Sequence, residues 1–172
     1  MYEGKLVNLR AFERNDLERN HAFVNDFDTV RGMASGILFP CSFEDEQRFM
    51  DQQSSYTRGE YQFAVENKQG ELVGRCGILK IDWKNSLAEL GIMIGKENRG
   101  RGYGTDAMAV LCRFCFEEMN VRKLKLSVIA FNEAALKCYE KCGFKREGLL
   151  EKEVFRQSEY HDVVVLGKLR AD

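Results

Sequence analysis

The chain has 172 residues, of which 44% are hydrophobic and 31% charged, and its formal net charge is −1. This length and balance predict one compact domain over residues 1–172 that buries a core without metal or disulfide staples. The near-neutral charge argues against a basic field that binds nucleic acid. Because the first ten residues lack a long apolar stretch, we expect neither signal peptide nor membrane anchor, and a cytoplasmic location.

Six cysteines raise the question of a zinc site. Cys112 and Cys115 have the spacing C-x-x-C, and Cys138 and Cys142 have the spacing C-x-x-x-C. Both pairs fall in stretches with a helical pattern, whereas zinc knuckles place their ligands on tight turns. We therefore predict reduced thiols and no metal.

The pattern of apolar residues predicts a strand, two helices, a three-stranded meander and then β-α-β-α-β-β. This order indicates an α/β fold in which helices pack on a mixed sheet. In the first part of the chain we expect a strand at 6–12, a helix capped by Asn15-Asp16 and carrying Phe27, a loop at 32–40 and a helix opened by Ser42 and Asp45. The meander follows, with strands near 61–65, 72–83 and 87–94 and a turn at 67–70. The last part is expected to hold a helix at 104–119, a strand at 124–129, a helix at 133–141 and two strands within 144–168.

The most informative stretch is the glycine-rich turn Arg99-Gly100-Arg101-Gly102-Tyr103-Gly104-Thr105, which follows a strand and opens a helix. Glycines allow a tight turn and let a ligand approach the backbone amides. The first N–H groups of a helix have no intrahelical partner and lie at the positive end of its dipole. A pyrophosphate suits such a site, and Arg99 and Arg101 add positive charge.

Several interpretations of this turn compete. The P-loop pattern G-x-x-x-x-G-K-[ST] does not occur in the chain. Gly102, Gly104 and Ala107 do satisfy the G-x-G-x-x-A pattern of dinucleotide-binding folds. That fold expects an acid about 20 residues later, at the end of the next strand, where this chain has Ser127. A glycine-rich turn without a ligand is the remaining alternative.

Two motifs resemble those of the GNAT superfamily of N-acetyltransferases. Arg99, Gly102 and Gly104 match the signature [QR]-x-x-G-x-[GA]. Downstream, residues 132–144 follow the pattern N-x-x-A-x-x-x-Y-x-x-x-G-F. The segment 155–162 is similar to the tail of the RimJ/RimL-like branch, which acetylates ribosomal-protein N-termini and polyamines.

The resemblance implies a GNAT-type sheet of about seven strands, mixed but mostly antiparallel, with a central β-α-β-α unit and helices on both faces. It implies direct transfer of acetyl from acetyl-CoA to an amine, without a covalent enzyme intermediate. The acceptor would be a protein N-terminus, a polyamine or another small amine, and a homodimer is one oligomeric state open to the chain. A non-catalytic acyl-CoA sensor and a dinucleotide-binding enzyme are the alternative functions.

The resemblance also implies the coenzyme-binding residues. The backbone of Ile92, Met93 and Ile94 would bind the pantetheine arm on a strand that splays from its neighbour. The turn from Arg99 to Thr105 would hold the pyrophosphate, with Asp106 pointing away from it. Asn132 would bind the pantetheine arm, cap the following helix, or do both.

Tyr139 matches the family tyrosine near the acetyl sulfur, where a phenol can protonate the leaving thiolate; the alternative is a core tyrosine. Glu89 matches the place of a general base, acting directly or through water, and its alternative is a solvent-facing carboxylate. His21 and His161 lie outside both motifs. A group of carboxylates would attract a cationic amine or simply form a solvated helix face. These carboxylates are Glu44, Asp45, Glu46, Asp51 and Glu60.

Overall fold

A computed structural model describes residues 2–33, 36–53 and 61–171. Its elements alternate much as the sequence pattern predicts. In chain order they are β1 (Tyr2–Glu3), β2 (Val7–Arg10), α1 (Leu17–Asn25), α2 (Phe27–Val30), α3 (Phe43–Gln53), β3 (Tyr61–Asn67), β4 (Leu72–Asp82), β5 (Leu87–Ile94), α4 (Tyr103–Glu117), β6 (Lys123–Ile129), α5 (Glu133–Lys141), β7 (Lys145–Arg156) and β8 (Glu159–Leu169).

The strands form one eight-stranded sheet in the order β1-β2-β3-β4-β5-β6-β8-β7. Only β5 and β6 pair in parallel, and every other neighbouring pair in this sheet is antiparallel. The mixed, mostly antiparallel sheet is confirmed. The strand beyond the expected seven is β1, whose two residues are too few to show a periodic pattern. A doubly wound parallel sheet, which the dinucleotide alternative requires, is not what the chain forms.

Helices cover both faces of the sheet because side chains alternate along each strand. On β3, Val65 joins the core that includes residues of α4 and α5, whereas the adjacent Ala64 packs with Phe23 of α1 and Val30 of α2. On β5, Ile92 packs against the first of these cores and Met93 belongs to the second. We call these the α4 face and the α1 face.

Caps and turns set the element boundaries. Ser42 Oγ accepts the Asp45 N–H at 3.1 Å, which confirms the predicted start of α3. The first predicted helix is interrupted after Asn25, however, because Asp26 has extended backbone angles and caps a separate helix, α2, through Thr29. Phe27, expected on the first helix, therefore begins α2.

Across the described ranges, no helix is long and apolar enough to span a membrane.

Candidate active site

The site begins where β5 and β6 separate. The two strands pair only at Leu87–Lys123, Ala88–Leu124 and Glu89–Lys125. Beyond Glu89, β5 stays paired with β4, and β6 stays paired with β8. The sheet therefore opens into a wedge-shaped gap between residues 90–94 and 126–129, as the predicted splayed strand requires.

The register of β4 and β5 decides which backbone groups face this gap. Gly95 N–H donates to Val73 O at 3.0 Å, continuing a ladder in which Ile94 lies opposite Gly74 and Met93 opposite Arg75. Peptide groups of successive residues alternate between the two sides of an antiparallel strand. Those of Met93 therefore point to β4, and those of Ile92 and Ile94 point into the gap.

This alternation reduces the number of backbone groups on β5 that can bind the pantetheine arm. Met93 contributes a buried side chain to the α1 face, and its backbone does not face the gap. Arg99 Nε donates to the Ile94 carbonyl at 3.2 Å. Both peptide groups of Ile92 and the N–H of Ile94 remain directed toward a ligand in the gap.

The glycine-rich turn has the backbone that a phosphate cradle needs. Gly100 and Gly102 have φ values of 75° and 83°, in the left-handed region that favours glycine. Gly102 is the N-cap of α4 and offers no side-chain cap. The first intrahelical bond runs from Asp106 N–H to Gly102 O at 3.0 Å, so the N–H groups of residues 103–105 precede it. These donors at the positive helix end fit a pyrophosphate.

The two arginines of the turn differ in their surroundings. Arg99 donates to the carbonyls of Asp28 and Thr29, each at 2.9 Å, as well as to Ile94. Its guanidinium thus fastens the turn to α2 and to Ile94 with three of its five N–H donors, and its contact with a phosphate stays a prediction. Arg101 is exposed and has no hydrogen bond or ion pair with any described residue, so it can reach a phosphate.

Asp106 points away from the turn, as expected. Its carboxylate accepts the N–H groups of Lys5, Leu6 and Val7 at 3.1, 2.6 and 2.9 Å. The charge that would repel a phosphate instead fastens the β1–β2 connection to the first turn of α4.

Asn132 is one of the residues that line a cavity of about 360 Å³. Its Oδ1 accepts the Ala135 N–H at 3.2 Å, which confirms the N-cap interpretation. Its Nδ2 donates to Gly32 O at 3.4 Å. Arg31, Gly32, Arg99 and Asn132 all line the cavity, which joins α2, the glycine-rich turn and the start of α5.

A second cavity, of about 570 Å³, lies between α1 and the segment before the turn. Its lining includes Arg19, Phe23, Asp26 and Lys96 but none of the predicted site residues. The smaller cavity therefore matches the predicted chemistry better.

Tyr139 is buried on α5, where 6% of its surface is exposed, and its ring packs edge-on to Phe144. Its hydroxyl has no hydrogen-bond partner within the described parts of the chain. Burial raises the pKa of Tyr139 above the usual value, and the nearby thiols of Cys138, Cys142 and Cys76 add to this effect. The phenol is therefore protonated at neutral pH, as a general acid must be.

Glu89 is the last residue of β5 that pairs with β6, so it stands where the gap opens. It is half-buried and shares its face of β5 with Met93, the α1 face. Tyr139 belongs to the core on the α4 face. The residues predicted to be the base and the acid thus lie on opposite faces of the sheet.

The group of carboxylates expected near the acceptor is not a free acidic surface. Glu46 is 3% exposed and is paired with Arg75 at 3.1 Å, so it cannot attract a substrate. Asp45 pairs with Arg48, and the exposed Asp51 accepts from Gln47. Glu44 is exposed, in agreement with a solvated helix face, and Glu60 lies outside the described residues.

Two contacts of the 155–162 segment were not predicted from the sequence. Phe131, which lines the cavity, packs edge-on to His161 with ring centroids 4.9 Å apart. Arg156 donates to the carbonyls of Met33 and Gly36 at 3.3 and 2.8 Å. Both contacts join the β7–β8 hairpin to residues far away in the chain. No group of three or more His, Cys, Asp or Glu side chains in the described ranges is arranged to hold a metal.

The family model described as an acetyltransferase (GNAT) domain matches residues 7–145. Spermidine N(1)-acetyltransferase of Vibrio cholerae serotype O1 is 31% identical over 159 residues, covering 91% of this chain and 89% of that protein. The Escherichia coli K12 enzyme of the same name is 31% identical, covering 92% of this chain and 83% of that protein.

Solved structures agree with this assignment. A Vibrio cholerae spermidine N-acetyltransferase in complex with CoA and spermine superposes with a TM-score of 0.86 at 29% identity, covering 95% of each chain. These matches, with the open β5–β6 gap and the glycine turn beside it, show that the chain belongs to the GNAT family and is an acetyl-CoA-dependent N-acetyltransferase that acts on an amine.

Proposed function

We propose that the acceptor is a polyamine of the spermidine class. The observation that carries the proposal is the likeness, over 95% of both chains, to the spermidine N-acetyltransferase solved with CoA and spermine. The likeness to the RimJ/RimL-like branch at residues 155–162 also suits a polyamine, and the assignment to that branch stays a prediction.

In the proposed coenzyme site, the pantetheine arm lies in the gap as an added strand. Ile92 and Ile94 supply its backbone partners, and Arg99 supports the turn by fixing it to α2 and Ile94. The amides of residues 103–105 bind the pyrophosphate with Arg101, and Gly100 and Gly102 give the turn its shape. Asn132 lines the cavity at the start of α5.

In the proposed reaction, Glu89 removes a proton from the acceptor ammonium, directly or through water, on the α1 face. The neutral amine attacks the thioester carbon, and a free N–H in the gap stabilises the resulting oxyanion. Collapse of the tetrahedral intermediate breaks the C–S bond, and Tyr139 protonates the departing thiolate from the α4 face. The second proton of the attacking nitrogen, lost as the amide forms, passes through water to the Tyr139 phenolate and restores the phenol. The fixed geometry supplies much of the rate by holding the reactants together.

We also propose a cytoplasmic location for the protein, because all six cysteines are free thiols. We treat residues 1–172 as one N-acetyltransferase domain. A homodimer stays a prediction from the family. Analytical ultracentrifugation would measure the oligomeric state.

The test is thiol release from acetyl-CoA, followed with a colorimetric thiol reagent against a blank without acceptor. The panel holds spermidine, spermine, an aminoglycoside, free amino acids and peptides with Ser, Ala or Met N-termini. We expect polyamines to give the highest kcat/KM. A peptide or aminoglycoside that exceeds spermidine would refute the assigned acceptor class while leaving the transferase intact.

Glu89 is tested in the same assay by Glu89→Gln. Loss of the base should lower kcat about a hundredfold near neutral pH and less at high pH, where free amine is more abundant. Glu118→Gln, at an exposed position after α4, is the matched control and should behave as wild type. Equal rates for both variants would remove Glu89 from the mechanism.

A further inference from the structure

Two thiols meet the first turn of α4 at a single residue, Thr105. Thr105 Oγ1 donates to Cys138 Sγ at 3.4 Å, and Cys142 Sγ lies 3.4 Å from the Thr105 carbonyl. A β-carbon at Gly104 would lie 3.8 Å from Cys138 Sγ. Both sulfurs therefore touch the turn proposed to bind the pyrophosphate, and the reaction described above uses neither of them.

We propose that Cys138 is a modification site for hydroperoxides and thiol-directed electrophiles, that Cys142 is its resolving thiol, and that their oxidation weakens coenzyme binding. The last part rests on the proposed coenzyme site.

The surroundings make Cys138 the nucleophile of the pair. Cys138 is partly exposed on α5, whereas Cys142 is buried at its C-terminal end. The pKa of Cys138 is lowered by a hydrogen bond from Cys142, then by the Thr105 hydroxyl and by nearby Lys141, against the effect of burial. The pKa of Cys142 is raised by the same bond to Cys138, so its thiol keeps the proton.

The other partly exposed cysteine provides an internal comparison. Cys41 is also partly exposed, but burial and the nearby Glu46 carboxylate raise the pKa of its thiol. Thiolate, not thiol, is the reactive species. Cys138 should therefore react faster than Cys41 at neutral pH.

The oxidation balances with a hydroperoxide as the oxidant. The Cys138 thiolate attacks one peroxide oxygen, the O–O bond breaks, and protonation of the leaving oxygen gives water (or an alcohol) and Cys138 sulfenic acid. The Cys142 thiolate, formed as its proton passes to the departing hydroxide, then attacks the sulfenic sulfur and releases water. Residues four apart in a helix have Cα atoms about 6 Å apart, within the range of disulfides, but their Cβ atoms lie about 5–6 Å apart, beyond the roughly 4 Å of a disulfide. The bond therefore closes only if the last turn of α5, where Cys142 is the C-cap, loosens.

The disulfide would take both sulfurs away from Thr105. It would also move Tyr139, which follows Cys138 directly on α5. Small displacements of positioned groups cost large factors in rate and affinity. We expect coenzyme affinity to fall about tenfold after oxidation and to recover on reduction, since Cys–sulfenic acid and disulfide states are reversible.

The test combines alkylation and peroxide treatment with mass spectrometry, which does not depend on acetyl transfer. At pH 7 we expect limiting iodoacetamide to label Cys138 before Cys41, and desulfo-CoA, which lacks a thiol, to slow that labelling. Peroxide should link the tryptic peptides 138–141 and 142–145 with loss of two hydrogens. Cys142→Ser should instead accumulate a sulfenic acid that dimedone traps, and Cys41→Ser should match wild type.

Each part can fail separately. Equal labelling of Cys41 and Cys138, or no linked peptide, would overturn the modification site. A linked peptide with unchanged desulfo-CoA affinity by calorimetry would overturn the coupling to the coenzyme site. Failure of spermidine as an acceptor would leave all of these readouts unchanged, so the two proposals are distinguishable.

Discussion

Replacing Tyr139 by Phe tests the proposed acid without disturbing the fold. The hydroxyl makes no hydrogen bond to any described residue, so its removal leaves no buried donor or acceptor without a partner. The ring, which packs against Phe144, is retained. We expect the free energy of unfolding to change by less than about 1 kcal/mol, because deleting an unpaired polar group is nearly neutral.

The effect on turnover should be much larger. A positioned general acid contributes about a hundredfold to ten-thousandfold, so kcat for Tyr139→Phe should fall at least about a hundredfold. Calorimetry should show nearly unchanged CoA affinity, because the coenzyme contacts proposed for the gap and the turn remain. Tyr160→Phe, at a 66% exposed position, is the matched control.

The pH profile gives an independent check. Because burial raises the pKa of Tyr139, the phenol stays protonated at least up to its ordinary value of about 10. Wild-type kcat should therefore show no decline due to this group below pH 10. A limb near pH 8 to 9 that disappears in Tyr139→Phe, or a variant with wild-type kcat, would refute the reasoning.

Three predictions concern stability, each measured by urea unfolding in the presence of reductant. Gly102→Ala should lower the free energy of unfolding by about 1–2 kcal/mol, because the φ of Gly102 is 83°. Gly104→Ala should not destabilise the protein, because a β-carbon there makes only ordinary contacts, and an equal loss of stability in both variants would contradict this reasoning. Asp106→Asn should lower the free energy of unfolding by about 2 kcal/mol, because one amide oxygen cannot replace a carboxylate that accepts three backbone N–H groups. A loss under about 0.5 kcal/mol would argue against a stabilising role for these three hydrogen bonds. Burial raises the pKa of Cys115 to about 12, so above pH 8.5 only the unfolded chain releases this proton and stability falls as pH rises. Between pH 7.5 and 9.5 this thiol should account for about 1.3 kcal/mol, and a Cys115→Ser variant with the full wild-type decline would show the assignment wrong.

Strong local signals made the central elements predictable. The predicted strand at 87–94 and helix at 133–141 coincide with β5 and α5. The nearly continuous apolar run of β5 reflects packing on both of its faces, and the side chain of Asn132 caps α5 as its sequence position suggests. Local features of this kind depend on neighbours in sequence, which a single chain displays directly.

Features set by distant residues were not predictable. The sequence predicts a phosphate contact for Arg99 but gives no sign of its partners Asp28 and Thr29, which lie 71 and 70 residues earlier. Likewise, Ile92, Met93 and Ile94 are alike in sequence, and only the register with β4 turns the backbone of Met93 away from the gap. A sequence motif identifies the segment that binds a ligand, whereas the tertiary structure determines which atoms of that segment remain available for hydrogen bonds to the ligand.

The short helix α2 explains why distant side chains converge on the site. In this four-residue helix Phe27 O accepts the Arg31 N–H, whereas the carbonyls of Asp28 and Thr29 accept from the distant Arg99 side chain. Arg99 from the turn donates to α2, while Asn132 from the start of α5 and Arg156 from the β7–β8 hairpin donate to the carbonyls just after it. Arg99 and Asn132 both line the smaller cavity. These hydrogen bonds to α2 and to the residues just after it thus fasten the glycine-rich turn, the start of α5 and the β7–β8 hairpin to one short segment.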